Sequence, residues 1–231
     1  MDKLTVLCSN YNSDRWIDGY LESVNNQLLD NFTIIFVDAN SNDHSLKTIK
    51  NYKFRSGITK KVIENDTRIT IYEAWNMAIE NSDTEFVINF NTDDRLFPGA
   101  LLTLHQTMIK NPEIDITYAN SLVCGDEKHT VIKGIQNWPN YTHQTLLANC
   151  IFGPFPILKK STIIKNGLFN PKYTISGDYE MWLRLSKKGC KFLKLNDYIG
   201  TYYDNPKGVS SDRSTLQEHV RQDTEIRKLH R

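Results

Sequence analysis

The sequence predicts an α/β fold: a single domain built on a mostly parallel β-sheet that is flanked by helices. Short apolar runs alternate with amphipathic segments through the first half of the chain, which is the pattern of βαβ units. Three of those runs end in polar residues, as strands do where they reach a ligand-binding edge. A chain of 231 residues, 39% of them hydrophobic, is long enough to bury one large core.

The first half of the chain contains four apolar runs of strand character. They lie at residues 4–8, 32–37, 61–63 and 85–90. Helices are predicted between them, beginning at a Ser13 or Asp14 cap, at an Asp43 cap, and at residue 71. Right-handed crossovers would make the strands parallel, with their carboxyl ends along one edge of the sheet.

The second half of the chain is less regular. The pattern predicts helices at 98–110, 176–188 and 211–231, strands at 114–118, 191–195 and 198–203, and a hairpin at 124–135. Residues 138–156 are rich in aromatic residues and are punctuated by prolines. That composition predicts a loop over a pocket.

Composition and charge exclude several functional classes. The chain carries 28 basic and 27 acidic side chains and has no basic stripe with interleaved aromatic residues, so we expect no nucleic-acid partner. No apolar stretch is long enough to span a bilayer, and residues 1–3 lead into a strand rather than a signal peptide. The 4 cysteines lack C-x-x-C spacing, which indicates free thiols. We therefore expect a cytoplasmic protein.

Asp93 and Asp94 lie side by side just after the apolar run that ends at Phe90. Two adjacent carboxylates repel each other unless a cation lies nearby. A divalent metal that holds a diphosphate would supply that cation at the carboxyl edge of the sheet. The alternative is a solvated turn, because Asn-Thr-Asp-Asp is also ordinary turn chemistry.

A series of short motifs runs through the chain in a characteristic order. They are LTVLCSNYN at 4–12, SVNNQ at 23–27, VDANSND at 37–43, TIYEAWN at 70–76, NTDD at 91–94, GLFN at 167–170, DYEMWLRL at 178–185 and GVS at 208–210. In this order they resemble the family 2 inverting glycosyltransferases of the GT-A fold, of the bacterial polysaccharide type. Two residues depart from the family pattern, since Asn91 and Ala39 stand where acids are frequent.

The resemblance implies roles for the residues at the strand ends. Asp94 would bind Mn²⁺ or Mg²⁺, and Asp93 would receive the donor ribose or order the waters of the metal. Asp38 would accept a hydrogen bond from the base, which suits the imide N–H of a UDP-sugar; its alternative is a capping or turn aspartate. Ser9 and Tyr11 would contact the nucleoside, although Tyr11 could equally be a core tyrosine.

The resemblance also implies roles outside the strand ends. Arg68 would reach the diphosphate, with a solvated surface arginine as the alternative. Asp178 is the candidate catalytic base, which takes the proton of the acceptor hydroxyl; its alternative role is a helix N-cap. The composition of the aromatic segment at 138–156, rather than the resemblance, suggests that Trp138 and His143 line the acceptor site, and a surface position is the alternative for His143.

Together these inferences predict a metal-dependent inverting glycosyltransferase that moves a sugar from a nucleotide-diphosphate donor to a saccharide or lipid-linked saccharide. A non-catalytic nucleotide-sugar-binding protein and a sugar-phosphate nucleotidyltransferase are the alternatives, and the latter would need a Gly-rich first loop that residues 9–12 lack.

Domain organisation follows from the same resemblance. Residues 1–211 would form the catalytic domain, with a nucleotide-binding half at 1–97 and an acceptor half at 98–211. Residues 212–231 would form a helical tail that packs on the body, joins a homodimer or lies on the inner face of the membrane, and their mixed charges favour packing.

Overall fold

A computed structural model describes residues 3–208 and 212–231 of the chain. Val209 and Ser210 of the predicted G-V-S motif, and the predicted domain boundary at residue 211, lie outside the described residues. The strands are β1 (Leu4–Asn10), β2 (Phe32–Asp38), β3 (Ile58–Glu64), β4 (Phe86–Asn89), β5 (Arg95–Leu96), β6 (Ile116–Cys124), β7 (Ile132–Gln136), β8 (Ile157–Lys159) and β9 (Phe192–Tyr203). The helices are α1 (Ile17–Asn25), α2 (Ser45–Asn51), α3 (Ile71–Glu80), α4 (Ala100–Lys110), α5 (His143–Ala148), α6 (Lys160–Asn166), α7 (Gly177–Lys187) and α8 (Leu216–His230).

One sheet carries all the described strands, in the order β3-β2-β1-β4-β8-β6-β9-β5, with β7 paired to β6. The first four strands are parallel, as their separation by helices predicts. Their register places Asn10 of β1 opposite Asp38 of β2. The predicted α/β fold with a sheet flanked by helices is confirmed.

Antiparallel pairs enter the sheet in the second half of the chain. β8 pairs antiparallel with both β4 and β6, and β7 forms the predicted hairpin with β6. Two strands predicted at 191–195 and 198–203 form the single strand β9, which pairs in parallel with β6. The register shifts near Asn120, so the polar residues between the two apolar runs are accommodated without ending the strand.

The core lies in two layers, one on each face of the sheet. One layer packs α1 and α4 against the sheet through residues such as Leu21 and Leu104. The other layer contains Trp75 of α3, Trp182 of α7 and Ile226 of α8. The terminal helix thus packs on the body, and it begins at Leu216 rather than at residue 211.

Three further predictions differ from the structure. Asp43 does not cap α2, because His44 takes the N-cap position. Neither Ser13 nor Asp14 caps α1, because the Ser13 hydroxyl donates to Asn10 instead and Trp16 takes the cap position. The predicted loop at 138–156 contains α5, which begins with a capping box at Thr142. In the described part of the chain, every helix is too short or too polar to cross a bilayer.

Candidate active site

The carboxyl ends of β1, β2 and β4 meet at one edge of the sheet because the three strands are parallel neighbours. This edge brings together Ser9 near the end of β1, Asp38 at the end of β2, and the Asp93-Asp94 pair just beyond β4. The sequence predicted this convergence from the polar residues that follow each strand.

Asp38 is held rigidly in a buried polar network. Its carboxylate accepts hydrogen bonds from Asn10 Nδ2 at 2.6 Å, from Ser41 Oγ at 2.7 Å and from the Ser41 N–H at 2.9 Å. Asn10 Nδ2 also donates to the Ser45 hydroxyl at 3.1 Å, which ties the network to α2. An acceptor fixed in this way is pre-organised, so little conformational entropy is lost when a donor group binds to it.

Tyr11 and Arg68 form a stacked pair beside this network. The Arg68 guanidinium carbon lies 3.2 Å from the centre of the Tyr11 ring, which is 40% exposed. The contact is a cation–π interaction, and partial burial lowers the pKa of Arg68 from its ordinary value. Arg68 therefore lies near the carboxyl ends of β1 and β2, where it covers one face of the Tyr11 ring.

The acidic pair accepts hydrogen bonds from Tyr203 at the end of β9 and from Asn205 just beyond it. One oxygen of Asp94, Oδ1, accepts the Tyr203 N–H at 3.0 Å, whereas the other, Oδ2, is buried without a hydrogen-bond partner. Asp93 is more accessible, and its Oδ2 accepts from Asn205 Nδ2 at 3.2 Å. Burial raises the pKa of Asp94 well above its ordinary value, and the charge of Asp93 adds to this effect.

The donor set at this edge fits a hard divalent cation. Asn89 Oδ1 and Asn91 Oδ1 are also buried without a partner, so three oxygen acceptors at or near the end of β4 lack hydrogen bonds. A buried acceptor without a partner is costly, and a cation would satisfy it. The described residues contain no cluster of three or more His, Cys, Asp or Glu side chains suited to a metal. The set therefore suits Mg²⁺ or Mn²⁺, which can take few protein ligands and complete their shells with water and phosphate oxygens.

His129, in the hairpin between β6 and β7, was missed by the sequence analysis. Its Nε2 lies 2.8 Å from the Asp93 carbonyl oxygen, which can only accept, so this nitrogen carries the proton. Its Nδ1 then accepts from the Thr201 hydroxyl at 2.6 Å. His129 adopts a left-handed backbone conformation, with φ of 57°, to make this reach. Nothing in its sequence neighbourhood signals a contact 36 residues away.

Asp178 lies in the first turn of α7. Its Oδ1 accepts the Tyr179 N–H at 2.8 Å and lies 3.0 Å from the Tyr72 hydroxyl of α3. The N-cap of α7 is Ser176, so Asp178 does not occupy the capping position offered as its alternative role. Burial raises the pKa of Asp178, and the two hydrogen bonds partly offset that rise. α3 packs on β1 and β2, which connects Asp178 to the donor edge.

Trp138 and His143 belong to the segment at 138–156, which contacts α7 at both ends. At the start of α7, the Tyr179 hydroxyl lies 2.9 Å from the Leu146 carbonyl oxygen. His143 Nδ1 is 2.6 Å from the Ser186 hydroxyl, which is eight residues and about 12 Å along the helix from Asp178. The Trp138 indole nitrogen is buried without a partner, close to Gly153. The structure therefore gathers Ser9, Asp38 and the Asp93-Asp94 pair at one edge but does not place His143 beside Asp178.

The remaining groups agree with the predicted chemistry of the chain. All four cysteines are free, as their spacing predicted. α8 forms hydrogen bonds with the segment that leads into α7, at Thr174, Ile175 and Ser176. No local sequence pattern predicts these contacts.

Comparison with known proteins gives a consistent picture. The sequence model of Glycosyl transferase family 2 matches residues 5–163. Asp178 lies beyond the matched range. A relative in Campylobacter jejuni, GalNAc(5)-diNAcBac-PP-undecaprenol beta-1,3-glucosyltransferase, is 24% identical over 191 residues, which are 81% of this chain and 61% of that protein.

Solved structures with low sequence identity share the fold. Staphylococcus aureus TarS 1-349 in complex with UDP-GlcNAc superimposes with a TM-score of 0.78 at 18% identity, over 97% of this chain and 66% of that one. Mannosyltransferase PcManGT from Pyrobaculum calidifontis, in complex with GDP-Man and Mn²⁺, gives 0.74 at 14% identity, over 96% and 63%. The chain thus spans about two thirds or less of the length of these three proteins.

Proposed function

The chain belongs to Glycosyl transferase family 2, and on that premise we propose that it is a metal-dependent, inverting glycosyltransferase. Family membership confirms the predicted enzyme class and family. The observation that carries the finer proposal is the acidic pair at the end of β4, where a buried carboxylate oxygen of Asp94 has no hydrogen-bond partner. A cation-binding site would account for the missing hydrogen-bond partner of this oxygen, whereas in a solvated turn water would reach it.

The proposed donor is a nucleotide-diphosphate sugar, with a UDP-sugar favoured. Asp38 supports this proposal because its fixed carboxylate is an acceptor and the uracil imide N–H is a donor. Tyr11 and Ser9 would contact the nucleoside, and Arg68 would turn from the Tyr11 ring towards the diphosphate. The likeness to TarS in complex with UDP-GlcNAc supports a UDP-sugar, and PcManGT in complex with GDP-Man keeps GDP-sugars in the test.

Asp94 would hold the metal, with Asn91 as a neutral second ligand and Asp93 directed to the ribose or to metal-bound waters. A bound Mn²⁺ or Mg²⁺ would offset the negative charge that grows on the departing nucleoside diphosphate. The other nearby groups position this pair: Tyr203 fixes Asp94 through its backbone N–H, and His129 fixes the backbone of Asp93.

Inversion needs one base, and we assign that role to Asp178. Its carboxylate would take the proton of the acceptor hydroxyl as the hydroxyl oxygen attacks the anomeric carbon and the bond to the diphosphate breaks. Burial raises the pKa of Asp178 above that of an ordinary carboxylate. The raised pKa makes Asp178 a stronger base towards an alcohol proton than an ordinary carboxylate is. The Tyr72 and Tyr179 hydrogen bonds aim the carboxylate.

The acceptor would be a saccharide or a lipid-linked saccharide. The undecaprenol-linked substrate in the name of the C. jejuni relative supports the lipid-linked class. In this proposal residues 1–97 bind the donor, 98–211 bind the acceptor with Trp138 and His143 towards it, and 212–231 support the catalytic body. The reaction would take place on the cytoplasmic side, at the inner face of the membrane when the acceptor carries a lipid.

Thermal unfolding with a panel of nucleotides tests the donor and metal assignments. UDP, UDP-GlcNAc, UDP-glucose and GDP-mannose would each be added with Mn²⁺ or with EDTA. Ligand at 100-fold above its Kd stabilises a protein by about 2.7 kcal/mol, which for a chain of this size raises the Tm by roughly 5–11 °C. We expect this rise only with metal present, and only for the nucleotide that the site accepts.

Asp94→Ala is the test variant for the metal site, and Asp83→Ala is its matched control. Asp83 is a surface carboxylate, with an 88% exposed side chain paired to Lys61. We expect Asp94→Ala to bind the nucleotide equally with and without Mn²⁺, while Asp83→Ala keeps the metal enhancement. Equal affinity with and without metal in the unmodified protein would contradict the proposed metal dependence. A protein that binds the donor but never transfers sugar would be the non-catalytic binder instead.

A further inference from the structure

Gln222 of α8 contacts the residues just before α7, although they are 46 and 47 residues away in the sequence. The side chain is 1% exposed. Its Oε1 accepts the N–H groups of Ile175 at 3.0 Å and of Ser176 at 3.1 Å. Its Nε2 donates to Thr174 Oγ1 at 3.1 Å and to Glu218 Oε1 at 2.8 Å. The two N–H groups are donors, so the atom that faces them must be the amide oxygen, and all the groups of this amide are used.

A second contact from α8 reinforces the first. Asp223 Oδ1 accepts the Ser176 hydroxyl at 2.7 Å. The opposite oxygen of Asp223 accepts from Arg227 Nη2 at 3.2 Å, which fixes the carboxylate within its own helix. Side chains of α8 therefore bind both backbone N–H groups and side-chain hydroxyls of residues 174–176, which immediately precede α7.

α3 holds the same segment from the opposite side. The Tyr72 hydroxyl is 2.6 Å from the Ile175 carbonyl oxygen and 3.0 Å from Asp178 Oδ1. Its ring packs so closely on Gly177 that an added Cβ would lie 2.8 Å from it. The segment is thus clamped between two helices, and Asp178 follows the clamped residues directly.

This arrangement bears on catalysis because a base must be placed accurately. A misplacement of about 1 Å can cost on the order of 100-fold in rate. α7 itself fixes this segment only in part, since the Ser176 carbonyl oxygen accepts the Glu180 N–H at 3.0 Å but Thr174 and Ile175 precede the Ser176 N-cap. Their backbone position depends on the partners supplied by α3 and α8.

We infer that Gln222 is a positioning residue, which sets the carboxylate of Asp178 by holding the backbone of Ile175 and Ser176. The inference rests on the proposed role of Asp178 as the base. It gives Gln222 of α8 a role in placing the base, although α8 lies outside the range that the family model matches.

The test compares three variants of the full chain. Gln222→Leu keeps the size of the side chain but removes the acceptor. Gln222→Glu is the conservative rescue: burial and the nearby Glu218 charge favour its neutral form, in which one oxygen still accepts the Ile175 and Ser176 N–H groups and the O–H can donate to Glu218. Ile226→Ala is the matched control, because Ile226 is buried in the same helix face but is part of the apolar core. We expect Gln222→Leu and Ile226→Ala to lower the Tm by several degrees each.

The decisive measurements are kcat and KM for the nucleotide sugar that the donor panel selects, followed as release of its nucleoside diphosphate. We expect Gln222→Leu to lower kcat by about 10- to 100-fold while KM changes by less than about 2-fold. The Gln222→Glu variant should keep most of kcat. Ile226→Ala should keep kcat per folded molecule. Ser176→Ala, which breaks only the Asp223 contact, provides a milder second variant if Gln222→Leu does not fold, with an expected kcat loss of a few-fold.

The outcomes separate this inference from the proposed function. If Asp178→Asn abolishes transfer but neither Gln222→Leu nor Ser176→Ala differs from Ile226→Ala in kcat, the positioning role is wrong and the base assignment stands. If Asp178→Asn transfers sugar normally, the base assignment is wrong, and the positioning role is wrong with it. A kcat in Gln222→Glu as low as that of Gln222→Leu would also overturn the inference, because the acceptor at residue 222 would then not be the feature that matters.

Discussion

Replacing Asp178 by asparagine should separate catalysis from folding. Both hydrogen bonds to this carboxylate, from the Tyr179 N–H and the Tyr72 hydroxyl, reach the same oxygen, Oδ1. The carbonyl oxygen of an asparagine can accept both of them. The variant therefore keeps the local structure and loses only the ability to take a proton.

The expected magnitudes follow from these contacts. Loss of a general base lowers the rate by about two to four orders of magnitude. Stability should stay within about 1 kcal/mol, since no hydrogen bond is lost. Asp178→Ala provides the contrast, because the Tyr179 N–H loses its acceptor while the Tyr72 hydroxyl can still donate to the Ile175 carbonyl oxygen. One unsatisfied N–H costs about 1–2 kcal/mol, or roughly 2–8 °C in Tm.

The pH dependence has a definite sign. The pKa of Asp178 is raised by folding, so the folded protein binds this proton more tightly than the unfolded chain does. Its contribution to stability is therefore fully present below the ordinary carboxyl range and is lost as pH rises through the raised pKa. Asp178→Asn lacks this loss, so its Tm relative to the unmodified protein should increase over that pH window.

Two assays decide the matter: transfer with the selected donor, and thermal unfolding across pH. Asp178→Asn should have a Tm at neutral pH that is no lower than that of the unmodified protein, normal affinity for the nucleoside diphosphate with metal, and almost no transfer. Near-normal transfer would show that Asp178 is not the base. An equal loss of Tm in the asparagine and alanine variants would contradict the hydrogen-bond reasoning.

Two other predictions concern the acceptor side and the tail. Trp138→Ala should raise the KM for the acceptor while leaving the donor Kd unchanged, as measured by calorimetry and initial rates; a changed donor Kd would contradict the division into halves. Truncation after residue 211 should lower stability or change the oligomeric state more than it changes donor binding, because Ile226 is fully buried in the core. If the truncated chain stays equally stable and oligomeric but no longer sediments with anionic vesicles that hold the full chain, the tail is instead a membrane contact.

The donor edge could be predicted from the sequence because its signals are local. The buried runs of β1, β2 and β4 are short and continuous, and each is followed by polar residues. Parallel pairing then brings the strand ends together without further information. Asp38 and the Asp93-Asp94 pair are therefore predicted at one edge of the sheet, and they lie at that edge in the structure.

Other parts could not be predicted, for physical reasons. β8 and α6 lie just after a stretch of prolines and glycine, and neither is long enough to show a period. His129 contacts Asp93 through a hairpin whose conformation depends on pairing with β6. Periodicity reports which face of an element is buried, but it carries no information about which polar group a distant side chain will meet.

The two halves of the proposed centre are therefore supported in different ways. The donor residues are carried by parallel strands whose backbone bonds lie in the middle of the sheet. Asp178 depends instead on side-chain contacts from α3 and α8, and α8 buries Gln222, Ile226 and His230 while most of its surface faces solvent. Such a helix opens at lower free energy than central strands, so heating should release the base before the ends of β1, β2 and β4. A nucleotide would then still bind at temperatures where transfer has already failed, and measuring both against temperature would reveal that order.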